Sequence, residues 1–377
     1  MAIVVRYFST SAAGAGDGTT WANRAAFISG GAYSTVITGF DFNSADSLEC
    51  RLGAGTYTVP ASLASAIFSV AAPRPDYPLV IHGCDSSGNR LTPDLSWNCA
   101  QGTFDSSDFP VIDCGSTLII NLNNLTLRCI SFQGSINNTV ANTVGGSHFD
   151  WVVGTNTRTS AGEVINVDSN SLVTNSYFYH TNSTHGRIVR SNGPLVNVRI
   201  KGNSSATSGE RLGIGTIATG VWHNCRGPVC ILDCPGGAIT SAAGYILTNA
   251  TIYNCGHGVS HTQASGQANT AVNKLYAARN FIANVTTGLS STIPGPAAMV
   301  THNRIRATTS YSLPGNTFYA DNNTDSGSDS DEFVDAAGGD LRIKNTSTYW
   351  GKGYGAGDEP AGGTSRPTSP FSQQVIA

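Results

Sequence analysis

Charge is what this sequence has least of. Only 12% of its 377 residues are Asp, Glu, Lys or Arg, about half the usual share. The 21 basic and 24 acidic residues leave a net charge of −3, and no basic stripe gathers along the chain. Nucleic-acid binding, which needs a concentrated positive surface, is therefore not expected. Long apolar runs are also lacking. No stretch reaches the roughly 18 apolar residues of a membrane span, so no membrane partner is expected. The opening Met1-Ala-Ile-Val-Val-Arg-Tyr-Phe8 is too short for a secretory signal. A chain that starts this way is expected to stay where it is made or to leave by another route.

Gly (43 residues), Ser, Thr and Asn stand where charge is missing, and 40% of the chain is hydrophobic. That is enough apolar material for a long core under a polar, nearly neutral surface. There are nine cysteines, and their spacing does not decide a disulfide pattern. They are expected to be buried free thiols, since cysteine packs as a small apolar residue. Cys225-x4-Cys230-x3-Cys234 has a zinc-like look. Residues 230 and 234, however, lie in the apolar phrase Val229-Cys-Ile-Leu-Asp-Cys234, which reads as packing.

The chain repeats itself. Trp222-His223-Asn224-Cys225-Arg226-Gly227-Pro228-Val229 is echoed 30 residues later by Ile252-Tyr253-Asn254-Cys255-Gly256-His257-Gly258-Val259. A further 30 residues on comes Ile282-Ala283-Asn284-Val285-Thr286-Thr287-Gly288-Leu289. An Asn followed at a fixed interval by an apolar residue is the mark of stacked repeats. Alternating apolar–polar phrases begin at Leu125, His148, Leu172 and Leu195, with spacings of 23, 24 and 23 residues. Alternation is the period of a half-buried strand. No such strand can bury its face alone. Coiling the chain so that equivalent strands stack in parallel gives one continuous core. Asn at a fixed place suits a turn whose left-handed backbone Asn tolerates. The expected fold is all-β, a single-stranded right-handed parallel β-helix. Thr20-Trp-Ala-Asn-Arg-Ala-Ala-Phe-Ile28 reads as a short N-terminal capping helix. Tyr354 onward, rich in Gly, Pro, Ser and Thr, reads as an extended C-terminal tail. The expected division is 1–40 for cap and attachment, 41–350 for the β-helix and 351–377 for the tail.

With these residues placed, the chain resembles the pectate-lyase-like β-helix superfamily and, within it, phage tailspike and related virion proteins. The resemblance is carried by Val5-Arg-Tyr-Phe-Ser9 with Asp17-Gly-Thr-Thr-Trp-Ala-Asn23, by the Asn-bearing coils, and by the closing phrase Phe333-Val-Asp-Ala-Ala-Gly-Gly-Asp-Leu-Arg-Ile343. It covers roughly residues 1–350. It implies a homotrimer made without a signal peptide, partnered by other proteins of the capsid or tail, located on the virion surface, with host polysaccharide as a candidate ligand. This fold hosts lyases, hydrolases, esterases and inert adhesins, so it does not fix activity.

Chemistry is sparse. A glycosidase needs two carboxylates flanking the scissile bond, and Asp150, Glu163 and Asp168 fall within about one coil of each other. The bland alternative is that they sit in turns or pair with Arg158 and Arg190. Glu210-Arg211 reads as a surface ion pair. A pectate-lyase-like site would combine clustered Asp for calcium with a basic residue. Arg187, Arg190, Arg199 and Lys201 are available, but no Asp cluster accompanies them. Asp321, Asn323, Asp325, Asp329 and Glu332 stand at positions 1, 3, 5, 9 and 12 of an acidic loop, a spacing that suits Ca2+. Ser326 replaces the usual glycine at position 6. No cofactor is otherwise required. His257-x3-His261 reads as two turn histidines. Trp151, Tyr177 and Tyr179 are the candidate sugar-stacking aromatics. The absence of a crowded carboxylate groove favours a structural virion protein, a trimeric spike on the tail or a capsid decoration, over an enzyme. The competing reading is a polysaccharide depolymerase, a lyase or glycoside hydrolase.

Overall fold

A computed structural model of the chain describes residues 2–29, 32–42, 46–60, 66–67, 73, 75–116, 119–135, 139–157, 163–181, 188–203, 212–214, 223–225, 228–241, 245–261, 275–292, 298–313, 318–320, 323–324 and 327–360. They fall into two compact units: Met1–Ser96 with Phe104–Gly193, and Trp97–Thr103 with Pro194–Ala377. Both are built from parallel ladders, and the fold is the expected right-handed parallel β-helix.

In unit 1 the long ladder runs through Ile3–Ser9, Ser47–Gly53, Leu79–Cys84, Leu125–Gly134, His148–Asn156 and Leu172–His180, each strand pairing in parallel with the next. A second, short ladder joins Ala66–Ile67, Ile119–Asn123, Ala141–Val144, Ile165–Val167 and Val189–Ser191. In unit 2 the long ladder runs through Leu195–Lys201, Val229–Leu232, Ala250–His261, Phe281–Ser291 and Arg304–Ser312.

Alternation explains which residues form the core. In Leu125–Gly134 the side chains of Leu125, Leu127, Ile130 and Phe132 are buried, while Thr126, Arg128, Ser131 and Gln133 are partly exposed. The parity resets at Cys129, whose φ is 52°. Packing between coils is tight. A Cβ on Gly154 would lie 2.5 Å from Phe132 Cζ and 2.8 Å from Phe178 Cδ1, so glycine there leaves room for two stacked core rings.

Among the described residues eleven non-glycine residues have positive φ, and six of these are Asn, which bears out the Asn-turn reading. Next to the bends, buried polar side chains replace missing backbone partners. In unit 1 the hydroxyl of Ser147 accepts from Leu125 N–H, and that of Ser171 accepts from Ser147 N–H, both at 3.2 Å. In unit 2 Asn takes this part. Asn280 Oδ1 accepts from Ala250 N–H at 2.9 Å, and Asn303 Oδ1 accepts from Asn280 N–H at 3.1 Å.

Three expectations are corrected. No helix forms over Thr20–Ile28. Asn23 N–H is closed onto Thr20 by both carbonyl and hydroxyl, and Ala25–Ala26 then pairs in parallel with Phe8 and Ser9. Trp21 packs over Gly53, and Phe27 is held edge-on by Phe8 and Tyr57, anchors that no single helix face could supply. The described helices are single turns, Thr35–Thr38 and Asp329–Glu332, each capped by a serine hydroxyl. Second, the repeat holds for Asn254 and Asn284 but not for Asn224. Tyr253 stands opposite Leu232, Asn254 donates to Asp233 at 2.7 Å, and Asn224 pairs instead with Ile246 in another ladder. Asp233 reaches the same left-handed backbone, with φ 57°. Third, residues 354–360 are docked within unit 2 rather than extended. Tyr354 and Ala356 are buried, Ala356 N–H donates to Thr251, and Glu359 N–H donates to Ile343. Residues 361–377 lie outside the described residues.

Eight cysteines are described, and all are buried. The side chain of Cys225 lies outside the described set.

Candidate functional site

The long ladder of unit 1 carries a line of polar and charged side chains. Strand register places Tyr7, Arg51, His82, Arg128, Asp150 and Thr174 in one column, a residue from each successive coil. At one end Glu49, whose side chain is 2% exposed, accepts from Arg51 Nε at 2.8 Å and is gripped in a forked pair by Arg90. Burial opposes ionisation of Glu49, but hydrogen bonds from Arg90 and Arg51 prevail and hold its carboxyl below the usual range. The Arg51 guanidinium also lies 5.5 Å from the centre of the Tyr7 ring. His82 is 4% exposed, and its Nε2 has no hydrogen-bond partner among the described residues. Burial, with Arg128 and Arg90 adding to it, lowers its pKa to about 4.

At the other end Asp150 is buried and fully engaged. Arg128 Nε lies 3.2 Å from one carboxylate oxygen. The other accepts from the Thr174 hydroxyl at 2.7 Å and from the Asn175 amide at 2.8 Å. His148 Nε2 is 2.9 Å from the same Thr174 hydroxyl. Beside this group, Pro75, Pro78, Asn124, Thr126, Gly145, Gly146 and Asn170 line a cleft of about 520 Å³. Thr126 is the cross-strand neighbour of His148.

Farther along the same strands, Tyr177 and Tyr179 stack with ring centres 5.0 Å apart and planes 16° from parallel. Phe178 between them points into the core against Phe132. Tyr177 is only 9% exposed, so Tyr179 carries the accessible ring of the pair. Gln133 and Thr155 precede Tyr179 in its column.

The other sequence candidates fall elsewhere. Glu163 and Asp168 flank Ile165–Val167 on the short ladder, whereas Asp150 belongs to the long one. Glu163 accepts from Thr139 at 2.9 Å, and Asp168 accepts from Asn170 N–H in a turn. The three carboxylates are thus split between two ladders. Trp151 is 2% exposed and meets Phe104 edge-on at 5.3 Å, a core contact rather than a sugar platform. Arg199 is 3% exposed and braces the carbonyls of Cys99 and Gly339 at 2.8 Å. Of the acidic loop, Asp329 pairs with Arg306 and Tyr253, and buried Glu332 accepts from Ser347. Asp321 and Asp325 lie outside the described residues, and of Asn323 only the backbone is described. Arg158, Arg187, Glu210, Arg211 and Trp222 are likewise outside. His261 is buried against Ser291. No group of three or more metal-ligating side chains is assembled among the described residues, and no described helix is long and apolar enough to cross a membrane.

Sequence reasoning missed Arg128, His148, Thr174, Glu49 and His82. Aligning strands by their first residues sets Leu125 opposite His148, whereas the observed register sets Thr126 there. That one-residue offset hides the Arg128–Asp150–Thr174 column.

These ladders and bends define the class: a right-handed parallel β-helix with a polar column and a tyrosine pair on its outer surface. No protein-family model matches the chain, and no curated protein matches it. Among solved structures it is similar to the crystal structure of a pectate lyase, Pel9A. The two are 11% identical, with a TM-score of 0.51, over 97% of this chain and 93% of that one. At that identity the likeness establishes the fold alone.

Proposed function

We propose that this protein binds polysaccharide along the outer face of the long ladder in unit 1, as a tailspike-like surface protein of a phage particle. One observation carries the binding reading. The Tyr179 ring is accessible, backed by the stacked Tyr177 and set by an inward-pointing Phe178, with the partly exposed Gln133 in its column. An aromatic face packs on the C–H face of a sugar while neighbouring polar groups bond its hydroxyls. Successive coils repeat at the inter-strand spacing of about 4.8 Å, so a linear polymer laid along the stack passes Gln133 and then Tyr179. The finer assignment to a homotrimeric virion spike, on the tail or the capsid, is supported by the opening and closing phrases. The latter folds as the antiparallel hairpin Phe333–Asp335 with Asp340–Ile343.

The test is affinity electrophoresis of the full chain through gels containing purified bacterial capsular and O-chain polysaccharides. At least one should retard the protein. Tyr179→Ala should weaken that retardation about tenfold, the loss of roughly 1.4 kcal/mol, with its melting temperature unchanged. Retardation by none of them, or full retention by Tyr179→Ala, would refute the reading.

A further inference from the structure

The group around Asp150 is more than a brace between coils. The Thr174 hydroxyl has one proton, and it is directed to Asp150 Oδ1 at 2.7 Å. The 2.9 Å contact with His148 Nε2 must therefore be made with the hydrogen on the imidazole. This fixes the neutral tautomer and leaves the lone pair on Nδ1, the other ring nitrogen. A proton accepted at Nδ1 would produce an imidazolium whose Nε2–H already points, through Thr174, to a carboxylate. That is the arrangement of a base oriented by a third group. Arg128, opposite Asp150, places a half-exposed guanidinium beside it. Thr126, the cross-strand neighbour of His148, also borders the 520 Å³ cleft, which adjoins the group without being lined by it.

The inventory restricts the reaction. Glycoside hydrolysis needs a second carboxyl group acting with the first. Here Asp150 has its oxygens committed to Thr174, Asn175 and Arg128, and Glu163 and Asp168 belong to the other ladder. Ester hydrolysis needs a single base that takes a proton and gives it back, with a cation or hydrogen-bond donor for the oxyanion.

We propose that His148 is the general base of an esterase site that removes O-acyl groups from a bound polysaccharide. The choice of polysaccharide as carrier rests on the binding reading above. Nδ1 of His148 takes a proton from water as the water oxygen attacks the acyl carbon. Arg128 faces the negative charge that develops on the carbonyl oxygen. When the tetrahedral intermediate collapses, the sugar oxygen leaves and recovers the proton from His148. The products are a carboxylic acid and a free sugar hydroxyl, so water is the only co-reactant. Asp150 and Thr174 are positioning residues.

The charged groups facing His148 are Asp150 on its own strand and Arg128 on the preceding one. Burial holds the imidazole below the ordinary histidine value of 6.5, with Asp150 opposing and Arg128 adding to the effect. The base form is thus present at neutral pH.

Two substrates separate the chemistry from polymer binding: p-nitrophenyl acetate, and O-acetylated xylan with acetate release as the readout. The full chain should hydrolyse p-nitrophenyl acetate above the buffer rate, with the rate rising with pH through an inflection below 6.5. His148→Gln keeps an amide donor for Thr174 while removing the base, and should lose at least about 100-fold with an unchanged melting temperature. Asp150→Asn should move the inflection of the pH profile downward, because it removes the group that raises the His148 pKa; a merely structural role would leave the inflection in place. Hydrolysis no faster than buffer on both substrates, or His148→Gln as active as the parent, overturns the proposal. Failure of gel retardation with p-nitrophenyl acetate hydrolysis intact would refute polymer binding and leave the His148 chemistry standing.

Discussion

Glu49 and His82 occupy consecutive coils of one ladder and make the protein sensitive to acid in two steps. His82 has a folded pKa of about 4 against an ordinary 6.5. Between those values the unfolded chain takes up a proton that the folded one refuses, so stability falls as pH drops from 6.5 towards 4. Glu49 has a depressed folded pKa against an ordinary 4.5. Its contribution is complete above 4.5 and is lost as pH falls further, through the folded value. Asp358 works the other way: burial raises its folded pKa to about 6, so its share of stability grows as pH falls below 6. The His82 share is therefore read against His82→Phe: by urea unfolding, the parent should lose stability relative to that variant as pH falls from 6.5 to 4. A parent–variant difference independent of pH over that window would contradict the assignment of His82.

At the scale of the strand and its bend, the two amide ladders of unit 2 differ in worth. Asn280 is fully buried and serves Ala250 N–H, Leu247 carbonyl and Asn303 at once. Asn280→Ala removes the side-chain partner of Ala250 N–H and of the Leu247 carbonyl in the core, at about 1–3 kcal/mol for each group orphaned, while Asn303 keeps the bond from residue 280 N–H. Asn284 is exposed and donates to Asn254 at 3.0 Å; Asn284→Ala should cost less than about 1 kcal/mol. Equilibrium unfolding of both variants checks the order, and equal losses would show that burial does not set it.

The same scale shows what could be read from sequence. Alternation fixes strand identity because core and surface demand different chemistry at successive residues, as in Leu125–Gly134. Asn marks left-handed bends because its side chain tolerates them. Cys129, Trp151, Arg279 and His302 adopt the same backbone with no local signal, because stacking on the coils beside them imposes it. The false helix at Thr20–Ile28 has a helix-like pattern whose apolar residues find separate anchors in Gly53, Phe8 and Tyr57. Tyr177 and Tyr179 were legible as an alternating pair, whereas the burial of Trp151 depends on Phe104, 47 residues away in the chain. The His148 group was illegible because register, not spacing, creates it.

At the scale of the molecule, sequence economy and function meet in unit 1. A chain with 12% charged residues places Glu49, Arg51, His82, Arg128, His148 and Asp150 along one ladder, with Arg90 reaching Glu49 from outside its strands, and the accessible tyrosine follows on the same ladder. Unit 2 spends its buried cation, Arg199, on backbone carbonyls of its own Trp97–Thr103 and Gly339 segments. The proposed polysaccharide-binding face is the one that bears Tyr179 in unit 1. Hydroxyl-radical footprinting of the full chain, with and without the polysaccharide that retards it most, tests this directly. Tyr179 should be protected from oxidation by the polymer, while Met299 of unit 2, 45% exposed, should be oxidised equally in both samples. Protection of Met299 with Tyr179 unchanged would contradict the assignment.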